Sequence, residues 1–416
     1  MLTAAPFPPT RPRNRPRIVA PSLGIADGPA ASVFRVAAAG GPISRDTARR
    51  AVDSSVVTVN RQVSAMLSAG LLRERPDLVA SGGVGRPRVP FEVNHEPYLT
   101  VGVHIGAVVT SVIASDLRGK ILGAVEIPTP TGKAESVLAA VTGSARGFVA
   151  RWRRRRPLWV GVALGGRVDP ETGVVDHPRL GWQAAPVGDI VGAGFGLPVS
   201  VAAHVEAMAA AELLLTPQRA DGADVRGGGL YFYVRETVGL AMTLDGRVHT
   251  PSTGPGSIAH LPTGSDAKCG CGATGCLEAT VSDRGVLLAA QRAGILPVGG
   301  SLPPVSMLYR SARSGSAGAQ TILTERARVL GRTVAMLRDL FNPDRVILGG
   351  QAFTDYPEGV PHVSRALSQA SRMTSADTRI TGFGDRVQEH AAGVVSLSSL
   401  YSDPLAAMRK AVAGAR

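Results

Sequence analysis

All three cysteines of this 416-residue chain, Cys269, Cys271 and Cys276, fall within eight positions, and His260 stands nine residues before the first of them. Thiols this close together cannot staple distant parts of a fold, so a disulfide framework is excluded and a metal site is indicated. Cys-x-Cys-x4-Cys with an upstream histidine supplies four soft or borderline donors, the number a closed tetrahedral zinc site takes. Three thiolates and an imidazole leave no open position for water or substrate. The ion expected on His260, Cys269, Cys271 and Cys276 is therefore structural zinc, with Gly270, Gly272 and Gly275 letting the backbone wrap around it.

The rest of the chain can bury a large core: 44% of its residues are hydrophobic and 19% charged, and at about 100–200 residues per domain two to four domains are expected. No apolar run approaches the roughly 18 residues of a membrane span, and the N-terminus has no secretory h-region. A cytoplasmic protein with no membrane partner is the expectation. The net charge of +13 favours a polyanion, although only four of the 45 basic residues are lysine, as a bias toward arginine codons would also produce. Its distribution says more: up to His95 there are 13 arginines against six acids.

Residues 1–29, rich in Pro with Arg11, Arg13, Arg15 and Arg17 between, read as a disordered basic tail. Residues 30–95 read as a winged helix-turn-helix. Val33, Val36 and Ala37 share a helical face, Ser44 is placed to cap a second helix, and a third runs from Ser55 to Gly70 with Val56, Val59, Val63 and Met66 packing inward. Leu71–Glu74 and Val89–Val93 read as the strands of a wing around Gly85-Arg86-Pro87-Arg88. The second helix of such a motif enters the major groove. Ser55, Thr58, Asn60 and Arg61 are thus the candidate DNA-reading residues, Arg61 forking to a guanine and Asn60 pairing with an adenine, while Arg86 and Arg88 at the wing tip suit the minor groove or flanking phosphates. The partner expected is double-stranded operator DNA.

From residue 96 to 416 strands alternate with helices, among them an Ala-rich one over Ala202–Leu215, the pattern of an α/β body with no repeat of 20–50 residues. Here the chain resembles the ROK family of repressors and sugar kinases. The resemblance rests on the His260–Glu278 segment, on Val101-Gly-Val-His-Ile-Gly106, on Gly161-Val-Ala-Leu-Gly-Gly166, and on Phe341-Asn-Pro-Asp-Arg-Val-Ile-Leu-Gly-Gly350. It implies an actin-like (ribonuclease H-like, ASKHA) body of two α/β lobes with a sugar cleft between them. The N-terminal unit places the chain in the repressor branch, acting on carbohydrate-related genes as a homodimer or tetramer.

Set against the family's motifs, the parts that handle ATP are altered. Ala203-His204 stands where the kinases carry Asn and the catalytic Asp, His104 replaces the Asp of the first phosphate loop, and Arg235-Glu236-Thr237-Val238-Gly239 replaces Gly-Thr-Gly-x-Gly. No kinase activity is expected. Of the family's sugar contacts His260 and Glu278 are kept, while Ser257 and His204 stand for acids, so His204, Ser257, His260 and Glu278 are the candidate effector residues, for a sugar or a sugar phosphate. A sugar kinase with an appended DNA-binding unit, and a ligand-independent DNA-binding protein with a vestigial pocket, are the competing readings.

Overall fold

The computed structural model describes residues 18–52, 54–79, 89–216, 227–251, 256–299, 301–373 and 377–413. Arg86, Arg88 and residues 1–17 of the expected tail lie outside the described residues.

Three helices open the described chain: α1 (Pro29–Gly40), α2 (Arg45–Ala51) and α3 (Val56–Ser68). Ser44 and Ser55 cap the second and third, their hydroxyls accepting the Thr47 and Thr58 N–H groups at 3.0 and 3.1 Å, which satisfies donors that a helix start leaves open. Gly70, at φ +73°, ends α3, and the Leu71 N–H folds back to the Met66 carbonyl at 2.9 Å. Strands β1 (Leu72–Glu74) and β2 (Phe91–Val93) then pair antiparallel. Arg73 and Arg75 of this hairpin hold the buried Glu92 at 2.7 and 3.0 Å. Val59, Val63 and Met66 are buried as their spacing predicts, but Val56 is 55% exposed. It sits in the first turn, beyond the reach of the neighbouring helices, and joins Val57 on the outer face.

The body holds two five-stranded sheets. In the first, β3 (Tyr98–Ile105), β4 (Val109–Ser115) and β5 (Ile121–Pro128) form a meander, α4 (Ala134–Val149) crosses over, and β6 (Arg156–Leu164) pairs parallel to β3. A small sheet of β7 (Arg167–Asp169), β8 (Val174–His177) and β9 (Trp182–Pro186) and helix α5 (Val187–Phe195) lead to β10 (Val199–Ala203), parallel to β6. The strand order is β10-β6-β3-β4-β5. After α6 (His204–Leu214) the same plan repeats with β11 (Gly229–Val234), β12 (Val238–Leu244) and β13 (Arg247–Val248). Helices α7 (Leu277–Val281), α8 (Asp283–Arg292), α9 (Ser306–Arg313) and α10 (Ala317–Phe341) follow, then β14 (Arg345–Gly349), α11 (Gln351–Thr354), α12 (Val360–Ala370) and β15 (Asp377–Ile380), giving β13-β12-β11-β14-β15. Each lobe is one meander plus two parallel strands, the actin-like duplication.

Helix α13 (Val387–Ser402) returns to the first sheet, and α14 (Pro404–Ala413) ends the described chain. Gly102 and Gly161 are the places where α13 lies against the strands: a Cβ on Gly161 would overlap the Ser396 backbone nitrogen. Helix α6 is buried along nearly its whole length, as a helix enclosed on all sides must be. A single core joins α1 and α3 to the body, through Phe34, Val63 and Met66 on one side and Trp159, Tyr401 and Met408 on the other; the Phe34 and Tyr401 rings meet edge to face at 5.8 Å.

Two expectations are corrected. Ala202-Ala203, read as the start of a helix, end strand β10, and the helix begins at His204. The tail does not extend to residue 29: Ile18 and Gly24 bridge to body strands, and Leu23 and Ile25 are buried. Their apolar side chains find sites on the body that no composition argument reveals.

Candidate ligand cleft and metal centre

The carboxyl ends of β3, β6 and β10 and the facing edge of the second sheet enclose a cavity of about 480 Å³. Its walls include His104, His177, His204, Tyr233, Arg179, Arg235, Ser257 and Glu278. His104 ends β3 and His204 opens α6, a hundred residues apart; their rings stack and Nε2 of His104 lies 3.4 Å from Nδ1 of His204. Two of the three positions at which the kinase motifs are altered are therefore neighbours in space. The Tyr233 ring meets His204 edge on at 5.5 Å.

Burial keeps these imidazoles neutral. It holds His104 well below the usual range, lowers His177, and brings His204 down to about 4, with the nearby charge of His177 adding to the effect on His204. The unfolded chain takes up a proton at His204 near pH 6.5 that the folded chain refuses until about pH 4. This contribution to stability is complete above pH 6.5 and is lost as the pH falls toward 4. Burial acts oppositely on Glu206, raising it to about 7, so the clean measurement is a comparison of two proteins that both carry Glu206. Between pH 7 and 5 the wild type is expected to lose about 2 kcal/mol relative to His204→Gln in chemical denaturation. Parallel pH profiles would disprove the neutral, buried imidazole.

Glu278 is committed to neighbours. One carboxylate oxygen accepts the Val238 N–H at 3.0 Å and the other lies 3.3 Å from Arg179, whose guanidinium also donates to the Glu236 carbonyl at 2.8 Å. Ser257 is exposed on the rim. Arg235 lines the same cavity. His260, expected in both sites, is not part of the cavity wall and faces the cysteines instead. Sequence reasoning missed His177, Arg179 and Tyr233; they belong to no local pattern, and only the folded sheets bring them to the cleft.

The four candidate metal-ligand side chains come together. Their donor atoms lie within 4.8 Å of one another, with Nδ1 of His260 3.7 Å from Sγ of Cys269 and the Cys271 and Cys276 sulfurs 3.7 Å apart. A tetrahedral ion with metal–sulfur bonds of about 2.3 Å separates its sulfurs by about 3.8 Å, so the donor set fits such an ion. Gly272 and Gly275 take φ of +91° and +80° to turn the loop, and a Cβ on Gly275 would press on the Ser265 carbonyl. Cys276 leads directly into α7, whose Glu278 reaches the cleft; beyond it Arg326 ties the Val281 carbonyl and Asp283 at 2.7 Å each. The metal loop and the cavity wall are thus two ends of one short segment.

Of the candidate DNA residues, Ser55 and Arg61 are exposed and Thr58 and Asn60 half-buried. Ser55 and Thr58 also bond each other in the cap, hydroxyl to hydroxyl at 2.9 Å.

Comparison with known proteins agrees with this architecture. A transcriptional regulator of Mycobacterium tuberculosis (strain ATCC 25618 / H37Rv) is 53% identical over 405 residues, 96% of this chain and 91% of that one. The N-acetylglucosamine repressor of Escherichia coli O157:H7 is 23% identical over 334 residues, 77% of this chain and 80% of its own length. Among solved structures, a ROK family transcriptional regulator described as a homologue of the E. coli MLC protein superposes with a TM-score of 0.75 at 22% identity, covering 92% of this chain and 98% of that one. The ROK family model itself matches residues 100–400, and the chain belongs to the ROK family.

Proposed function

We propose that the chain is a DNA-binding transcriptional regulator, a repressor of carbohydrate-related genes that acts as a homodimer or tetramer. Residues 30–95 form its winged helix-turn-helix, and residues 96–416 its ROK body. The observation that carries this reading is helix α3: Val59, Val63 and Met66 are buried while Ser55, Val57 and Arg61 face outward from its first turns, the part of a recognition helix that meets base edges. Arg86 and Arg88 would add contacts from the wing. Zinc on His260, Cys269, Cys271 and Cys276 closes the loop that carries Glu278. The cleft holds a small effector, a sugar or sugar phosphate contacted by His204, Ser257 and Glu278, and such a ligand changes DNA affinity only by preferring one arrangement of the lobes. His260, committed to the metal, acts on the effector through that loop.

The same cleft does not transfer phosphate. Attack by a sugar hydroxyl needs a base, and His204, with a pKa of about 4 and its Nδ1 facing His104, is a poor one. Arg235 and Glu236 line the cleft in the segment that the motif comparison matches to the kinases' phosphate-holding glycine loop. With ATP, Mg2+ and a panel of hexoses and N-acetylhexosamines, ADP production is expected to equal the protein-free rate. Sugar-dependent ADP release would overturn this. No helix among the described residues is long and apolar enough to cross a membrane. Selection of duplexes from a random DNA library tests the main reading directly: enrichment of a two-fold symmetric sequence is expected, and no enrichment would refute it.

A further inference from the structure

Residues 18–28 are hydrogen-bonded to both lobes in turn before they enter the DNA-reading unit. At the first anchor, Ile18 bridges to Val199 of β10, the edge strand of the first sheet, and the Val19 N–H donates to the Val199 carbonyl at 2.9 Å. The Ser200 hydroxyl donates to the Val19 carbonyl at 2.7 Å and accepts the indole N–H of the buried Trp159 at 3.0 Å. At the second anchor, Gly24 bridges antiparallel to Arg247 of β13, the edge strand of the second sheet. The Val248 N–H donates to the Leu23 carbonyl at 2.9 Å and the Ile25 N–H to the Gly246 carbonyl at 2.8 Å. Leu23 and Ile25 are buried in the cluster that holds α6 and α13. Four residues beyond Ile25 the chain enters α1 at Pro29, and Arg35 reaches back from that helix to the Ala26 carbonyl at 3.0 Å.

We propose that residues 18–28 are a clasp that converts the angle between the two lobes into a displacement of helices α1–α3. An extended chain covers at most about 3.6 Å per residue, so neither the four-residue step from Val19 to Leu23 nor that from Ile25 to Pro29 can exceed about 14 Å. A rotation that parts the edges of the two sheets beyond that reach must release an anchor, and one within it that keeps the second anchor draws on the short step to α1. The clasp also covers two sheet edges that would otherwise expose unpaired backbone groups. A ligand in the cleft, gripped by residues of both lobes, acts on this angle; that step rests on the regulatory reading above, whereas the linkage between lobes and α1 does not.

Gly24 allows a selective test. Its Cβ would stand 2.7 Å from Cγ and 2.9 Å from Cα of Arg247, so Gly24→Val should release the second anchor. Gly28→Ala, in the same segment with nothing within 4 Å of the added carbon, is the control. In hydrogen exchange on the full chain, Gly24→Val is expected to speed the Ile25 and Val248 amides at least 10-fold and the α1 amides with them. Affinity for a duplex recovered by random selection should change at least 5-fold, and Gly28→Ala should move neither. Ser200→Ala, which weakens the opposite anchor, should reproduce the pattern and decides the matter if Gly24→Val does not fold. Faster exchange at the released anchor with α1 exchange and DNA affinity both within twofold of wild type would overturn the clasp. A wild type that selects no duplex would refute DNA binding, and the α1 exchange result would still decide the clasp.

Discussion

Cys276→Ser is expected to remove the metal and to cost about 3–5 kcal/mol, placing it among the rare large single-substitution effects, of which metal loss is a named cause. At about 2–4 °C per kcal/mol for a large domain, the Tm should fall by about 6–20 °C. The size follows from position. Cys276 is the buried ligand, 3% exposed, and it stands immediately before α7; Glu278, two residues on, holds the Val238 amide and Arg179 at the cleft. Loss of the ion from the variant frees two sulfurs and an imidazole that no core surrounds, since Cys271 and His260 are exposed and Cys269 half-exposed. Metal analysis by mass spectrometry should give one zinc per wild-type chain and none for the variant, and calorimetry should report the lower Tm. A chelator should reproduce both changes in the wild type. A variant that keeps one zinc per chain and the wild-type Tm would show that the four side chains do not form a metal centre.

The second large effect is expected at Arg61. A bidentate contact to guanine discriminates against other bases by about 1–3 kcal/mol, so Arg61→Ala should weaken binding to the selected duplex by about 5- to 150-fold at fixed salt. Binding to a scrambled duplex should hardly change. Because Arg61 is exposed, the stability should stay within about 0.5 kcal/mol of wild type, as for most surface substitutions. Fluorescence anisotropy at several salt concentrations separates the alternatives. Equal losses on selected and scrambled DNA, with a salt slope reduced by about one, would make Arg61 a phosphate contact and not a base reader.

The sites differed in how far the sequence disclosed them, for reasons of distance along the chain. The candidate metal ligands lie between positions 260 and 276, and a pattern that short is visible without knowing the fold. The cleft is the opposite case: His104 and His204 meet only because β3 and β10 end on the same side of one sheet, and motif comparison pointed to both without showing that they touch. Helical spacing found the inward face of α3 but misjudged Val56, since periodicity cannot tell where neighbouring helices stop. Ala202-Ala203 run on into an alanine-rich helix with no Gly or Pro to mark the change at His204. The Pro-rich composition of residues 1–29 made residues 18–28 read as part of a disordered tail, although Leu23 and Ile25 are core residues. The equal strand order of the two lobes left no repeat in the sequence, because topology constrains burial and not residue identity.

The shared core around Phe34 and Tyr401 sets a limit on how this protein can be recombined. Trp159, Tyr401 and Met408 pack in one cluster with Phe34, Val63 and Met66, so the N-terminal helices lack a complete hydrophobic interior of their own, unlike domains joined by a bare linker. A graft cut at residue 95 would transplant half of a packing arrangement and leave its complement behind. Exchange of operator specificity among relatives has to proceed by changing the outward residues of α3 in place, or by moving the final helices together with the first three.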